Sequence, residues 1–319
     1  MKEIGAYFEL ELKKGVSQYH DTSYVLKSGR ASLRYILDYL KPGLVYIPFY
    51  TCDALLEPFK DANINYEFYH VNEDLEPETL MELKAGELIL YVNYFGLKGK
   101  TVNLLSEKYK NRLIVDCTQA FFMKGNNISW FFNSCRKFFG IPDGSYLYCP
   151  EGAKLPEIGS RNESYIIDHL LKRFNGHASE GYEYFLQNEI LAGEGISYIS
   201  KLSEYLLSNI NYEEAIKKRQ ENYSYLHDRL KEKNLFNALP CDGDIPMCYP
   251  LLIGRNTGKT MLFASKIFIP SFWRDTNHRN IDGFDFEKSL TDKLWPLPVD
   301  QRYSLADMEI LYESIINFV

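Results

Sequence analysis

Six short runs decide how this chain folds: VYIPFY (45–50), INYEFYHV (64–71), ELILYVNYF (87–95), RLIVDC (112–117), SWFFNSC (129–135) and GSYLYC (144–149). Each is rich in β-branched and aromatic residues, and helical or loop segments separate them. That alternation specifies an α/β fold, a mostly parallel sheet flanked by helices. Ahead of the runs, SGRASLRYILDYLK (28–41) sets Leu33, Ile36, Leu37 and Leu40 on one helical face. Ser28 reads as the N-cap and Pro42-Gly43 as the stop, so a helix is predicted to begin at Ser28 to Ala31.

Beyond Pro156 the patterns become long and amphipathic, over roughly 161–190 and 197–234. Strand-like YPLLI (249–253) and KIFIPSFW (266–273) follow, and Ser304-x-x-Asp307 forms a capping box for a final helix. The organisation predicted is a large domain over 1–205, including the N-terminal segment, and a smaller C-terminal α/β domain over 206–319. GRNTGKT (254–260) has a Walker-like look, but three residues separate Gly254 from Gly258 where four are needed, so it reads as a polar loop.

Composition narrows the function classes. With 45% apolar and 25% charged residues the 319-residue chain is a folded one. Its net charge of −7 argues against nucleic acid or an anionic membrane surface as the main partner, since phosphates select clustered Lys and Arg. No run reaches the ~18 apolar residues of a membrane span, and MKEIGAYFELELKK lacks the basic start and apolar core of a signal peptide. A cytoplasmic location is expected. Six cysteines without a C-x-x-C pair and six dispersed histidines read as buried thiols and no metal site.

Three places carry chemistry. Ser28-Gly29-Arg30-Ala31-Ser32 lies at a helix start, where free N–H groups and the positive dipole end suit a phosphate, or serve simple capping. Asp116 ends the apolar run RLIVD, on the edge where open α/β sheets bind ligands; its other reading is a cap for TQAFF. Lys137, flanked by Phe132, Phe138 and Phe139, would be partly desolvated, which favours the neutral, nucleophilic amine, or else is a loop lysine with a covering stem. Taken in order, a phosphate cradle, an acid at a strand end and a lysine on the next turn are what a pyridoxal-phosphate site requires.

At these residues the chain resembles the DegT/DnrJ/EryC1/StrS family of pyridoxal-phosphate-dependent (fold type I) sugar aminotransferases, as a short, divergent member. Ordered blocks run from about Ser28 to Val319: SGRASL for the family's SGTAAL, LILYVNYFG for its V-H-x-x-G strand, LIVDCTQAFF for D-x-A-Q-A, SCRKFFGIPDGSYLY for S-x-x-K-x-x-x-x-x-x-G-G, and LWPLPVDQRYS for its closing block. The resemblance implies that Lys137 forms the Schiff base, Asp116 pairs with the pyridine nitrogen and Gln119 reaches the ring oxygen. It places Gly29, Arg30, Ala31 and Ser134 around the phosphate, and Cys52 where members usually stack a Phe or Trp on the ring, a role Tyr50 or a neighbour then takes unless it is lost. Arg30 replaces a small Thr, Asn93 a His and Ser145 a Gly, and the family's G-Y-N-Y-R-M-like run survives only as GYEYFLQNE (181–189).

The implied activity is amino transfer from glutamate or glutamine to a nucleotide-linked keto-sugar for cell-surface polysaccharide, in a homodimer. The alternatives are another pyridoxal-phosphate reaction on the same scaffold, or a cofactor-free relative that binds a nucleotide sugar or a protein partner.

Overall fold

The computed structural model describes residues 4–22, 24–237, 239–254 and 259–318. All six runs contain strands. β1 (Tyr24–Leu26), β2 (Leu44–Pro48), β3 (Tyr66–Tyr69), β4 (Glu87–Val92), β5 (Leu113–Cys117), β6 (Trp130–Asn133) and β7 (Ser145–Tyr148) form one sheet in the order β1-β7-β6-β5-β4-β2-β3. β2 to β6 are parallel, and β7 runs antiparallel to both its neighbours. All five residues of β5 are buried, as expected of a central strand covered on both faces. The three-residue edge strand β1 left no signal in the sequence.

α1 (Gly29–Leu40) begins where Ser28 predicts: the Ser28 hydroxyl accepts from the Ala31 N–H at 3.1 Å, and Leu33, Ile36 and Leu37 are buried. It ends at Lys41, which adopts the left-handed conformation and donates its N–H to the Leu37 carbonyl. α2 (Glu57–Ala62) packs on α1, and α3 (Gly99–Tyr109) packs on β5. The two long helical patterns are each broken in two. α4 (Asp168–Phe174) and α5 (Tyr182–Gly193) are separated by a turn at Gly176, whose φ is +84°. α6 (Lys201–Leu207) gives way to α7 (Tyr212–Leu230), which the Asn211 side chain caps by accepting from the Glu214 N–H.

In the C-terminal part α8 (Asp275–His278), α9 (Asp285–Lys293) and α10 (Leu305–Ile315) accompany a two-stranded antiparallel pair, β8 (Cys248–Leu252) and β9 (Leu294–Pro298). The capping box at Ser304 and Asp307 is present. KIFIPSFW forms no strand; its Ile267, Phe272 and Trp273 are packing residues on an irregular segment. The GRNTGKT reading falls on Arg255–Gly258, outside the described residues. α7 packs on β8 and α10, and one contiguous apolar cluster runs from the large sheet through Tyr249, Trp295 and Leu311. No helix among the described residues is long and apolar enough to cross a membrane, and they hold no cluster of His, Cys, Asp and Glu able to bind a metal.

Two buried polar groups hold the loops around β6 and β7. The Asp143 carboxylate accepts from the Ser200 N–H (2.8 Å) and hydroxyl (2.6 Å), the Asn162 amide (2.9 Å) and the Ser203 hydroxyl. It thereby joins the β6–β7 loop to the start of α6. Asp143→Ala strands these donors and is expected to cost about 3 kcal/mol in urea unfolding; a loss under about 1 kcal/mol would contradict the clamp.

His20, fully buried, has Nε2 2.7 Å from the Phe121 carbonyl and Nδ1 2.9 Å from the Tyr148 hydroxyl, so the neutral ring donates to the former and accepts from the latter. Burial pushes its pKa down to about 3, mainly by desolvation. The unfolded chain, with a histidine near 6.5, therefore binds the extra proton first. Stability is full above that value and falls as pH drops toward the native pKa. Between pH 7 and pH 5 the wild type should lose about 2 kcal/mol more than His20→Gln, read by urea unfolding at each pH.

Candidate active site

The parallel strands β2, β4, β5 and β6 end along one edge, and Asp116 lies near the end of β5, in register between Val92 and Phe132. Its carboxylate is buried, and Oδ1 accepts from the Thr118 N–H at 2.7 Å. No helix forms over TQAFF, so the capping alternative is not met; the oxygen fixes the turn after β5 instead. Burial raises the Asp116 pKa, opposed by Lys137 and by the Thr118 bonds. A cation facing this carboxylate is favoured, because it stabilises a charge that the protein interior disfavours.

Lys137 ends the single helical turn Cys135–Lys137 that follows β6. Its Nζ donates to the Thr118 hydroxyl at 3.2 Å, which brings amine and acid to the two ends of one threonine. The expectation of a desolvated lysine is not met: Lys137 is exposed, whereas Phe138 and Phe139 are buried. Those rings anchor the turn instead of sheathing the amine. The Arg219 guanidinium lies 4.5 Å over the Phe138 ring, and the Phe138 carbonyl accepts from Gln301 Nε2 at 2.8 Å. Residues of the C-terminal part therefore hold the turn that carries Lys137.

α1 starts against the same edge. A Cβ on Gly29 would lie 3.1 Å from Thr118 Cγ2 and 3.3 Å from the Asn133 carbonyl, so the helix start packs tightly here and a side chain would need its neighbours to give by a few tenths of an ångström. Ser28 and Ala31 close the first turn on each other, leaving the Gly29 and Arg30 amides unused by the helix. Ser134, buried, follows Asn133 at the end of β6 and makes no side-chain cap. The side chain of Arg30 goes elsewhere: Nη1 meets Glu57 Oε2 at 2.7 Å and Nη2 donates to the Glu189 carbonyl. Its predicted contact with a phosphate is limited to the backbone, since α2 and α5 hold the guanidinium.

Gln119 is also partly committed. Its Oε1 accepts from the Phe95 N–H at 2.9 Å, holding a turn in which Phe95 has φ +58°. Asn93 supports the same turn by accepting from the Lys98 N–H at 3.0 Å. Cys52 is half-buried within electrostatic reach of both Lys137 and Asp116; burial pushes its thiol up and Lys137 opposes this. Tyr50 cannot replace a stacking ring at this edge. It is fully buried, edge-on to Trp273 (4.5 Å between centroids) and stacked on Tyr94 (6.0 Å).

Sequence reasoning missed two participants. Thr118 is a small residue between the two motif acids and amides, and nothing in its type announces a bridge. Glu189 reaches the site from α5 and pairs with Arg136, a contact across 53 residues that no spacing reveals. Beside the site a cleft of about 540 Å³ opens between the β4 and β5 turns and the 241–245 segment, lined by Asn93, Lys100, Asn103, Phe122, Lys124 and Asp244.

No protein-family model matches the chain, and no curated protein sequence matches it. Solved structures do. A DegT/DnrJ/EryC1/StrS aminotransferase of Brucella abortus superposes with a TM-score of 0.63 at 17% identity, covering 92% of this chain and 85% of that one. DesI, solved in the presence of its TDP-sugar product, gives 0.62 at 12% identity over 92% and 79%. Spr1654 of Streptococcus pneumoniae, a candidate sugar aminotransferase solved in its PLP form, gives 0.64 at 12% over 91% and 85%. In fold, then, this chain is similar to the DegT/DnrJ/EryC1/StrS aminotransferases, with their mostly parallel seven-stranded arrangement carrying Asp116, Lys137 and the start of α1 on one edge.

Proposed function

We propose that this protein is a pyridoxal-phosphate-dependent aminotransferase of the DegT/DnrJ/EryC1/StrS group, acting on a nucleotide-linked keto-sugar. The observation that carries the reading is the meeting of an exposed lysine amine and a buried carboxylate on Thr118, beside a helix start packed tightly on the same edge. These residues fit the cofactor. The Gly29 and Arg30 amides and the α1 dipole suit its phosphate, Asp116 suits a protonated ring nitrogen, and Lys137 suits its aldehyde. Bound there, pyridoxal phosphate supplies an electron sink for charge developing on a substrate carbon.

The chain's own groups do the rest. Asp116, destabilised as an anion by burial, gains most from a cationic neighbour and so keeps a ring nitrogen protonated. Lys137 holds and moves a proton at Nζ, and Thr118 orients that amine by accepting its hydrogen bond. The neighbouring cleft, walled by Lys100 and Lys124 but also by Asp242 and Asp244, has room for part of a nucleotide-linked sugar. Glutamate or glutamine is the proposed donor, and cell-surface polysaccharide synthesis in the cytoplasm the proposed setting. A homodimer is supported by exposed apolar residues on α4 and α5, among them Leu171, Phe174, Tyr182 and Ile190.

The test is to incubate purified protein with pyridoxal phosphate, reduce with borohydride and map the modified peptide by mass. A pyridoxyl group on Lys137, absent from Lys137→Ala, is expected; no retained cofactor, or modification of another lysine alone, overturns the reading. Gly29→Ala should weaken cofactor binding by about tenfold, because its Cβ presses on Thr118 and the Asn133 carbonyl. With the cofactor in place, amine product should form only when an amino donor is supplied; elimination without a donor would reject transfer.

A further inference from the structure

Arg136, next to Lys137, directs its fork at the carboxylate of Glu189 on α5: Nη1 meets Oε1, and Nη2 lies 3.4 Å from Oε2. Arg30, from the start of α1, places Nη2 3.6 Å from the same Oε2. Arg136 thus takes the carboxylate with its fork, and Arg30, hydrogen-bonded to Glu57 and to the Glu189 backbone carbonyl, adds a second cation beside it. The arginine side chains are only 14% and 13% exposed and that of Glu189 is 35% exposed, so this is not a solvated surface pair. Burial raises the Glu189 pKa, but Arg136, then Arg30 and Lys137, outweigh it and hold the carboxyl below its ordinary value. Glu189 is anionic and within electrostatic reach of Lys137.

The arrangement is incompletely satisfied. Arg136 Nε is buried without a partner, and so is Nδ1 of His169 on α4, which feels both Arg136 and Glu189. A buried donor left unpaired is costly, and one carboxylate engaging the fork end-on cannot serve Nε as well. On α5 only Asn188 and Ala192 of its twelve residues are buried, so Glu189 lies at the boundary between the packed side of the helix and its exposed side.

We propose that Arg30 and Arg136 form a carboxylate-binding subsite beside Lys137, which Glu189 occupies as an internal stand-in until the carboxylate of an amino-acid donor displaces it. The transaminase reading supplies the identity of the donor; the subsite stands on the two arginines. A carboxylate is the chemistry the geometry already accommodates, one fork facing both oxygens with a second guanidinium alongside. Glu57 Oε2 lies 2.7 Å from Arg30, so that guanidinium keeps one carboxylate partner while the other is exchanged.

The experiment is calorimetric titration of the full-length protein, purified with pyridoxal phosphate, using glutarate, an unreactive dicarboxylate, and separately inorganic phosphate. Removing the internal competitor in Glu189→Gln should tighten glutarate binding about tenfold, and Arg136→Gln added to it should abolish the gain. Unchanged or weaker glutarate binding by Glu189→Gln overturns the proposal, as does a gain for phosphate without one for glutarate. Arg136→Gln alone, in the presence of Glu189, should bind glutarate more weakly than wild type, and equal binding also overturns it. Because binding and not turnover is read, a missing adduct on Lys137 would sink the transaminase reading while leaving this result to stand or fall separately.

Discussion

The close approach of α1 to the carboxyl edge of the sheet is the constraint from which the site follows. At Gly29 the unused amides of the helix start lie against the strand end, where a methyl group would press on Thr118 and the Asn133 carbonyl. Thr118 is in turn the residue on which Asp116 and Lys137 converge. Dipole, acid and amine therefore share one small volume. The parallel order of β2 to β6 supplies the edge, and β7, by reversing direction, returns the chain through the loop where Asp143 clamps it to α6.

Much of this was legible because it is local. Apolar runs of six to nine residues punctuated by turns forecast six of the seven strands of the large sheet, and Ser28 and Ser304 forecast two helix starts through capping chemistry confined to four residues. Asp116 and Lys137 could be picked out because their places in the pattern, at a strand end and on the following turn, already imply the same edge. What was illegible depends on distance along the chain. The breaks inside the two long helical patterns arise at Gly176 and Asn211. The side-chain directions of Arg30 and Gln119 are decided by Glu57, Glu189 and Phe95, none of which lies near them in sequence.

Electrostatics at the edge is a matter of opposed demands. Asp116 is buried and therefore costly as an anion, Lys137 is exposed and free to move, and Glu189 is anionic because three cations surround it. The same segment thus offers a cation-seeking acid on one side and an anion-seeking pair of arginines on the other. Cys52, within electrostatic reach of Lys137 and Asp116, presents a thiol there and not an aromatic ring.

The clasp on Phe138, an arginine over its ring and a glutamine on its carbonyl, has a bearing on how the chain can be divided. Arg219 and Gln301 belong to the C-terminal part, and Arg219 also donates to the Pro246 and Met247 carbonyls. The lysine turn is therefore clasped from far along the chain as well as braced locally, by the Cys135 N–H on the Gly144 carbonyl and by Phe121 and Phe122 against the Phe138 ring. A chain cut anywhere between Lys137 and Arg219 would keep the local braces and lose the clasp, leaving the turn formed but less firmly placed.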